Sequence, residues 1–238
     1  MKYLIVNADD FGFTRDVNRG IVHGHRQGIL TATTLMATGA AFDHAVELAR
    51  ENPELDVGVH LVLVDGPGFP ATLPRLLVSL SRIHIYDEFA RQVGKILDAG
   101  LHPTHLDTHK HTHLLPPVLD AVAHIAEEFR IPWVRRRFGP FRLPLPVHHC
   151  RTTDHFAGFR MTGRYDAAAL ARLIRGLPEG STEFMCHPGF CTAELLAART
   201  RLKESRGREL DALTSAEVRA ALEESHVILA RYRDLPPA

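Results

Sequence analysis

One stretch of the sequence concentrates side chains that bind metals or move protons. Residues 104–113, THLDTHKHTH, carry His105, Asp107, His109, His111 and His113 at every second position. Residues two apart on a strand share a face, so we expect His105, Asp107 and His109 to point the same way. Imidazole nitrogens and carboxylate oxygens are common ligands of divalent metals in proteins. The stretch therefore predicts one wall of a metal or catalytic site.

The spacing limits how many of these side chains one ion can bind. Side chains two residues apart on a strand begin about 6.6 Å apart, so a single metal takes one or two of the five. The others are expected to support a ligand or to contact a substrate. For His111 and His113, a solvated polar loop is the alternative interpretation.

Further ionisable residues occur where other apolar runs end. Asp9 and Asp10 follow the run Tyr3–Val6, His60 lies within GVHLVL, and His187 follows TEFMC. In α/β folds with parallel strands, active groups gather at the carboxyl ends of the strands and in the loops that follow. Convergence of these carboxylates and imidazoles is the arrangement expected of a divalent-metal hydrolase.

Each of these positions also has a purely structural interpretation. Adjacent aspartates after a strand are common turn residues. A histidine within an apolar run, as at position 60, is typical of a hydrogen-bonded core residue, and His187 precedes a Pro-Gly turn. Their joint occurrence at several strand ends is what favours a site.

The elements that must position these residues alternate between strands and helices. Strands are predicted at residues 3–6, 31–38, 57–63, from 104, within 133–137 and 152–159, and at 182–187 and 226–235. Helices are predicted at 16–27, 41–53, 89–97, 115–129, 170–177 and 215–225. This alternation predicts an α/β fold: a single-domain distorted (β/α) barrel over residues 1–238 with about seven parallel strands. The sequence lacks a GxGxxG after the first strand and a P-loop, which argues against dinucleotide and P-loop nucleotide binding.

The composition of the chain argues against several classes of binding partner and predicts the cellular compartment. The 238 residues include 28 basic and 28 acidic side chains, for a net charge of +0, which argues against binding to nucleic acid or an anionic membrane. Without an apolar run of about 18 residues, membrane insertion is not expected. The N-terminus lacks the pattern of a signal peptide, and three cysteines without paired spacing predict reduced thiols in a cytoplasmic protein.

Four motifs in order, IVNADDFG, GVHLVL, THLDTHKHTH and MCHPGF, resemble the YdjC-like carbohydrate deacetylases. That family includes chito-oligosaccharide deacetylases and a hopanoid-associated branch. The resemblance extends from Lys2 to about Leu222. It implies a distorted (β/α) barrel with one divalent metal, usually magnesium, and an acetylated amino sugar or oligosaccharide as substrate.

The resemblance also implies roles for individual residues. It makes Asp10, His60 and His109 the metal ligands, Asp9 the catalytic base, and His187 a catalytic residue near the reaction centre. In this hypothesis His105 and Asp107 orient His109, while His111 and His113 face the substrate groove. His109 and His113 are also spaced four apart, as in the metal motif of NodB-like polysaccharide deacetylases, but the availability of His60 favours the pair His60 and His109.

Several alternatives stay open at this point. Zn, Co, Ni or Fe suits one carboxylate and two imidazoles at least as well as Mg. The same ligands would serve a hydrolase of another amide, ester or phosphoester, or a histidine-rich metal-binding protein without turnover. A homodimer is as compatible with the sequence as a monomer. Residues 65–85 form a shorter connection than in related proteins, so sugar specificity does not carry over from the resemblance.

Overall fold

Eight parallel strands form one curled sheet in the computed structural model, which describes residues 1–66, 68–79, 84–138 and 150–235. The strands are β1 (Lys2–Phe11), β2 (Ala32–Leu35), β3 (Asp56–Leu61), β4 (His105–Thr108), β5 (Trp133–Val134), β6 (His155–Ala157), β7 (Gly180–Cys186) and β8 (Val227–Leu229). Their order is β5-β4-β3-β2-β1-β7-β6, and β8 pairs with the start of β1. A backbone bridge from Trp133 to Arg151, just before β6, links the two edges. The predicted distorted α/β barrel is therefore confirmed.

Helices cover the outer surface of the sheet. They are α1 (Arg15–Gln27), α2 (Phe42–Glu51), α3 (Leu73–Ser79), α4 (Ile85–Asp98), α5 (Pro116–Glu128), α6 (Ala167–Arg175), α7 (Ala193–Ala197), α8 (Glu204–Thr214) and α9 (Ala216–Glu224). The long helices other than α8 bury one largely apolar face; in α4, Phe89, Val93 and Ile96 face the core. In the part of the chain that the structure describes, no helix is long and apolar enough to cross a membrane.

The first strand is longer than its apolar run predicted. Polar residues were expected to end it after Val6, but β1 continues to Phe11 and carries Asn7, Asp9 and Asp10 inside the barrel. The prediction failed there because these polar side chains are buried and find polar partners, so they do not mark the end of a strand.

A β-bulge interrupts the end of β1. Ala8 pairs with Thr33 and Phe11 pairs with Leu35, so β1 advances three residues while β2 advances two. Asp10 has a φ of +70°, in the left-handed region, and Gly12 has a φ of +94°. A bulge re-aims side chains that would otherwise alternate between the two faces. The local geometry therefore presents two adjacent carboxylates at one end of the barrel.

Helix α8 was not predicted. Its sequence, ESRGRELDALT, lacks a regular apolar stripe because Arg206 and Glu209 occupy buried positions. The short helices α3 and α7 were also missed; α3 lies within the 65–85 connection.

Candidate metal centre and active site

Three side chains that the resemblance implied as ligands converge at the carboxyl ends of the strands. Oδ1 of Asp10 lies 3.4 Å from Nε2 of His60 and 3.3 Å from Nδ1 of His109. The two imidazole nitrogens are 3.2 Å apart. Three donors bound to one ion at about 2.1 Å are separated by about 3.0 to 3.4 Å, so the set fits a single divalent metal. One carboxylate and two imidazoles form the donor set.

Asp107 supports His60, not His109. Its Oδ1 lies 2.6 Å from Nδ1 of His60, and its Oδ2 accepts a hydrogen bond from Thr34 at 3.0 Å. The expectation that Asp107 orients His109 is therefore wrong: β3 and β4 are neighbours, with His60 paired to Asp107 in the register. A carboxylate on Nδ1 leaves Nε2 of His60 free to face Asp10 and the ligand position.

A buried arginine that the sequence interpretation overlooked organises the carboxylates beneath the ligands. Arg135 follows β5 and is 1% exposed. Its guanidinium donates to both oxygens of Asp9, at 2.6 and 2.9 Å. The same group lies 2.6 Å from Asp107 and 2.7 Å from Glu183 on β7. Arg135 therefore fixes the orientation of Asp9 and balances charge inside the barrel.

Asp9 is held in its ionised form. Burial alone would raise the pKa of its carboxyl, but the charge and hydrogen bonds of Arg135 outweigh it and keep that pKa well below its usual range. Asn7 adds a third hydrogen bond, from Nδ2 to Oδ1 of Asp9 at 3.2 Å. The Asp9 carboxylate is therefore ionised, fixed in orientation and able to accept a proton.

Asp10 forms an ion pair with a second buried arginine, Arg206. Nη2 of Arg206, on α8, lies 2.5 Å from Oδ2 of Asp10. Burial would raise the pKa of Asp10, whereas the charge of Arg206 holds it well below its ordinary value. Asp9 and Asp10 are thus adjacent in sequence but bound to different cations.

His187 follows β7, the strand that pairs with β1, and lies next to Asp9. Its Nε2 is 3.9 Å from Oδ2 of Asp9, and its backbone N–H donates to Glu209 of α8 at 2.6 Å. Burial lowers the pKa of the His187 imidazole, so the side chain is neutral at rest. His187 must therefore receive a proton before it can donate one.

The other histidines of residues 104–113 occupy different environments. His105 bonds to Asn7 at 2.9 Å and stacks on Tyr232, so its predicted support of His109 is wrong. Its ring lies farther toward the amino ends of the strands, where Thr104 bonds its other nitrogen.

His113 is buried, with Nδ1 2.8 Å from the hydroxyl of Thr108. The solvated-loop alternative is therefore wrong for this residue. His111 packs against Phe156 and Phe159 at the edge of the cavity. Lys110 and His111 both have positive φ, because the chain turns sharply after His109.

The ligand atoms open onto a cavity of about 950 Å³. Site residues Asp9, Asp10, His60, His109, His187 and Arg206 form its floor. Apolar side chains form much of its walls; they include Phe13, Met36, Leu73, Leu77, Leu115 and Phe159. The cavity is large enough for a small molecule or one to two sugar rings.

Sequence reasoning missed Arg135, Arg206, Glu183 and Glu209. Buried charged residues have no periodic signature, and these four lie outside the quoted motifs. Arg135 begins a run of three arginines, Arg135–Arg137, which has the composition of a surface patch. Arg135 is nevertheless internal, because three carboxylates surround it.

Comparisons with known proteins show which proteins this chain resembles. The family model described as YdjC-like protein matches residues 3–224. The chain is 34% identical to a carbohydrate deacetylase of Brevibacillus brevis, over 98% of this chain and 99% of that protein. It is also 34% identical to a chitooligosaccharide deacetylase of Serratia marcescens, with the same coverage.

Solved structures show the same architecture. A putative cellobiose-phosphate cleavage protein from Enterococcus faecalis superposes with a TM-score of 0.88 and 28% identity, covering 99% of both chains. A family 4 carbohydrate esterase from Streptomyces lividans, in complex with acetate, superposes with a TM-score of 0.57 at 9% identity, covering 100% of this chain and 98% of that one, and shares the fold. The match over nearly the whole chain establishes that this protein belongs to the YdjC-like family.

Proposed function

We propose that this protein is a metal-dependent deacetylase that removes N-acetyl groups from amino sugars or their oligosaccharides. The observation that carries the proposal is the convergence of Asp10, His60 and His109 beside an ionised Asp9, at the floor of one cavity. Relatives that the chain matches over 98% of its own length and 99% of theirs are named carbohydrate deacetylase and chitooligosaccharide deacetylase, which supports this substrate class.

The donor set supports one divalent ion held by Asp10, His60 and His109. Such an ion would act as a Lewis acid toward the acyl oxygen and would lower the pKa of water. Two imidazoles and one carboxylate favour a transition ion such as Zn, Co, Ni or Fe, and they also accommodate the Mg²⁺ that the family resemblance implied. We assign Asp107 the role of fixing the tautomer of His60 so that Nε2 is the ligand atom.

The remaining residues would move the protons of the reaction. Asp9 takes a proton from the attacking water, as its ionised state permits. His187, neutral at rest and 3.9 Å away, accepts that proton and delivers it to the amine that leaves. Arg135 keeps the Asp9 carboxylate in position throughout.

We further propose a cytoplasmic location, because Cys150, Cys186 and Cys191 are all unpaired. The 238 residues would act as one catalytic domain, and His111 would contact the substrate at the cavity edge.

The function is tested by acetate release from N-acetylated chito-oligosaccharides by the metal-loaded protein, with phosphate release from sugar phosphates measured in parallel. Asp9→Asn is expected to retain one metal per chain and to lower kcat by about 10²- to 10⁴-fold. Asp211→Asn, at an exposed position of α8, is the matched control. Phosphate release without acetate release would replace the proposal with a phosphoesterase. Undiminished activity of Asp9→Asn would remove the base assignment, and several metals per chain without turnover would favour a storage protein.

A further inference from the structure

Arg206 is the one buried arginine or lysine among the described residues that line the cavity. It lies on α8, 196 positions from Asp10 in the chain, and is 1% exposed. The other arginines of the cavity wall, Arg160, Arg164, Arg199 and Arg201, are exposed at the rim.

The hydrogen bonds of Arg206 use only part of its guanidinium. Nε donates to the backbone oxygen of Leu202 at 3.2 Å, and Nη2 donates to Oδ2 of Asp10 at 2.5 Å. Nη1 is buried and has no hydrogen-bond partner within the described ranges 1–66, 68–79, 84–138 and 150–235. An arginine stays charged and carries five donors, and a buried donor without a partner is unfavourable. Nη1 therefore marks a place for an acceptor.

The ion pair also determines how Asp10 presents its carboxylate. Oδ2 is occupied by Arg206, whereas Oδ1 faces His60 and His109 at 3.4 and 3.3 Å. Only one oxygen of Asp10 is thereby left for a metal.

We propose that Arg206 is a catalytic residue, whose Nη1 donates a hydrogen bond to the acyl oxygen of the substrate and stabilises the negative charge that develops there. The acceptor is an amide oxygen that becomes an oxyanion, and no proton leaves the guanidinium. The inference rests on the proposed deacetylation, because it names the oxygen of the same acyl group. Nη1 belongs to the same guanidinium as Nη2, which binds Asp10, so Nη1 lies close to the three candidate metal ligands. A fixed donor in a buried site needs no reorganisation as charge develops.

The test compares wild type with Arg206→Lys and Arg206→Gln, using Arg208→Lys as the matched control. Arg208 lies two positions away on α8 and is exposed. Lysine keeps a charge beside Asp10 but lacks the second, planar donor. We expect Arg206→Lys to lower kcat by about 10²-fold or more, with KM and the Kd for metal changed less than about threefold. Arg206→Gln should lower kcat at least as much, and Arg208→Lys should match wild type.

A second readout does not depend on turnover. Acetate carries the same kind of oxygen acceptor, and its binding to the metal-loaded proteins is measured by calorimetry. Arg206→Lys is expected to bind acetate at least about tenfold more weakly than wild type, at equal metal content.

The outcomes separate this inference from the proposed function. Wild-type kcat and wild-type acetate affinity in a folded, metal-loaded Arg206→Lys protein would overturn the role of Arg206 and leave the deacetylase proposal intact. If wild type releases no acetate from amino sugars, the proposed function fails, and acetate binding alone then decides whether Arg206 contacts an acyl oxygen. A wild type that neither turns over substrate nor binds acetate would overturn both.

Discussion

Nδ1 of His60 lies 2.6 Å from Oδ1 of Asp107, across neighbouring strands of the barrel. We expect Asp107→Asn to weaken metal binding by about 10- to 100-fold, because asparagine still accepts a hydrogen bond but no longer makes the imidazole more basic. Titration of the metal-free variant with Zn²⁺, followed by calorimetry, measures this. The exposed Asp211→Asn serves again as control. An unchanged metal affinity would show that the carboxylate has no part in holding His60.

Arg135 should be needed to keep three buried carboxylates stable in the core. Its removal leaves Asp9, Asp107 and Glu183 together without a cation. We expect Arg135→Gln to reduce the free energy of unfolding by about 3–5 kcal/mol. Burial raises the pKa of Glu183 to about 7 even with Arg135 present, so this carboxylate is poorly accommodated already.

The partner substitution Glu183→Gln tests that explanation. In the Arg135→Gln background, Glu183→Gln removes one of the three carboxylates that have lost their cation. The loss in free energy of unfolding of the double variant should therefore be smaller, by about 1–3 kcal/mol, than the sum of the losses of the two single variants. Urea unfolding at pH 8, where the Glu183 carboxyl of wild type is largely ionised, gives the four values of the cycle. Strict additivity would mean that Arg135 and Glu183 act independently.

Gly20 sits where α1 meets the loop that follows His187. A Cβ at this position would lie 2.4 Å from the Cα of Gly189, so the loop or the helix would have to shift. In a helix interior, replacing glycine by alanine normally raises the free energy of unfolding by about 1 kcal/mol. At position 20 the close approach of Gly189 makes the same substitution destabilising. We expect Gly20→Ala to lower both the melting temperature and kcat, because Gly189 lies two residues from His187.

Gly207 provides the control for that substitution. It is also a helical glycine, on α8, and a Cβ there would meet nothing within 4 Å. Gly207→Ala should raise stability by up to about 1 kcal/mol without changing kcat. If the two variants behaved alike in thermal melting, the close packing of α1 on the loop would be refuted.

Acid should destabilise the protein through its buried neutral histidines. Burial, with the charge of Arg135, lowers the pKa of His113 to about 3. The unfolded chain, with a histidine pKa of about 6.5, binds more protons than the folded one between these values. The contribution of His113 to the free energy of unfolding is therefore fully present above about pH 6.5. It is lost as the pH falls toward 3, by about 1.4 kcal/mol per pH unit.

His113→Asn measures this contribution directly. The amide oxygen of asparagine takes the place of Nδ1 and still accepts the hydrogen bond from Thr108. Urea unfolding between pH 4 and 6.5 should show a dependence on pH that is shallower than in wild type by about 1 kcal/mol per unit. Parallel curves for the two proteins would rule out a buried neutral His113.

The sequence predicted the barrel and the candidate metal ligands more reliably than the residues that hold those ligands in place. Asp10, His60 and His109 are recognisable because each lies on or just after a predicted strand and within a family motif. Arg135 and Arg206 are not, since a buried arginine looks like a surface arginine until its carboxylate partners are located. Asp107 shows the same limit. Its spacing from His109 suggested that the two side chains interact, but the pairing of β3 with β4 places Asp107 beside His60.

The bulge at the end of β1 has a consequence for which amino acids position 10 tolerates. With φ at +70°, the backbone favours residues with short polar side chains, chiefly Asp, Asn and Gly. Glutamate at position 10 would keep the negative charge but is unfavourable at a positive φ. Asparagine would accept the positive φ but would lack the negative charge. Aspartate alone satisfies both demands, so the shape of the main chain, as much as the chemistry of the ion, selects the residue at this position.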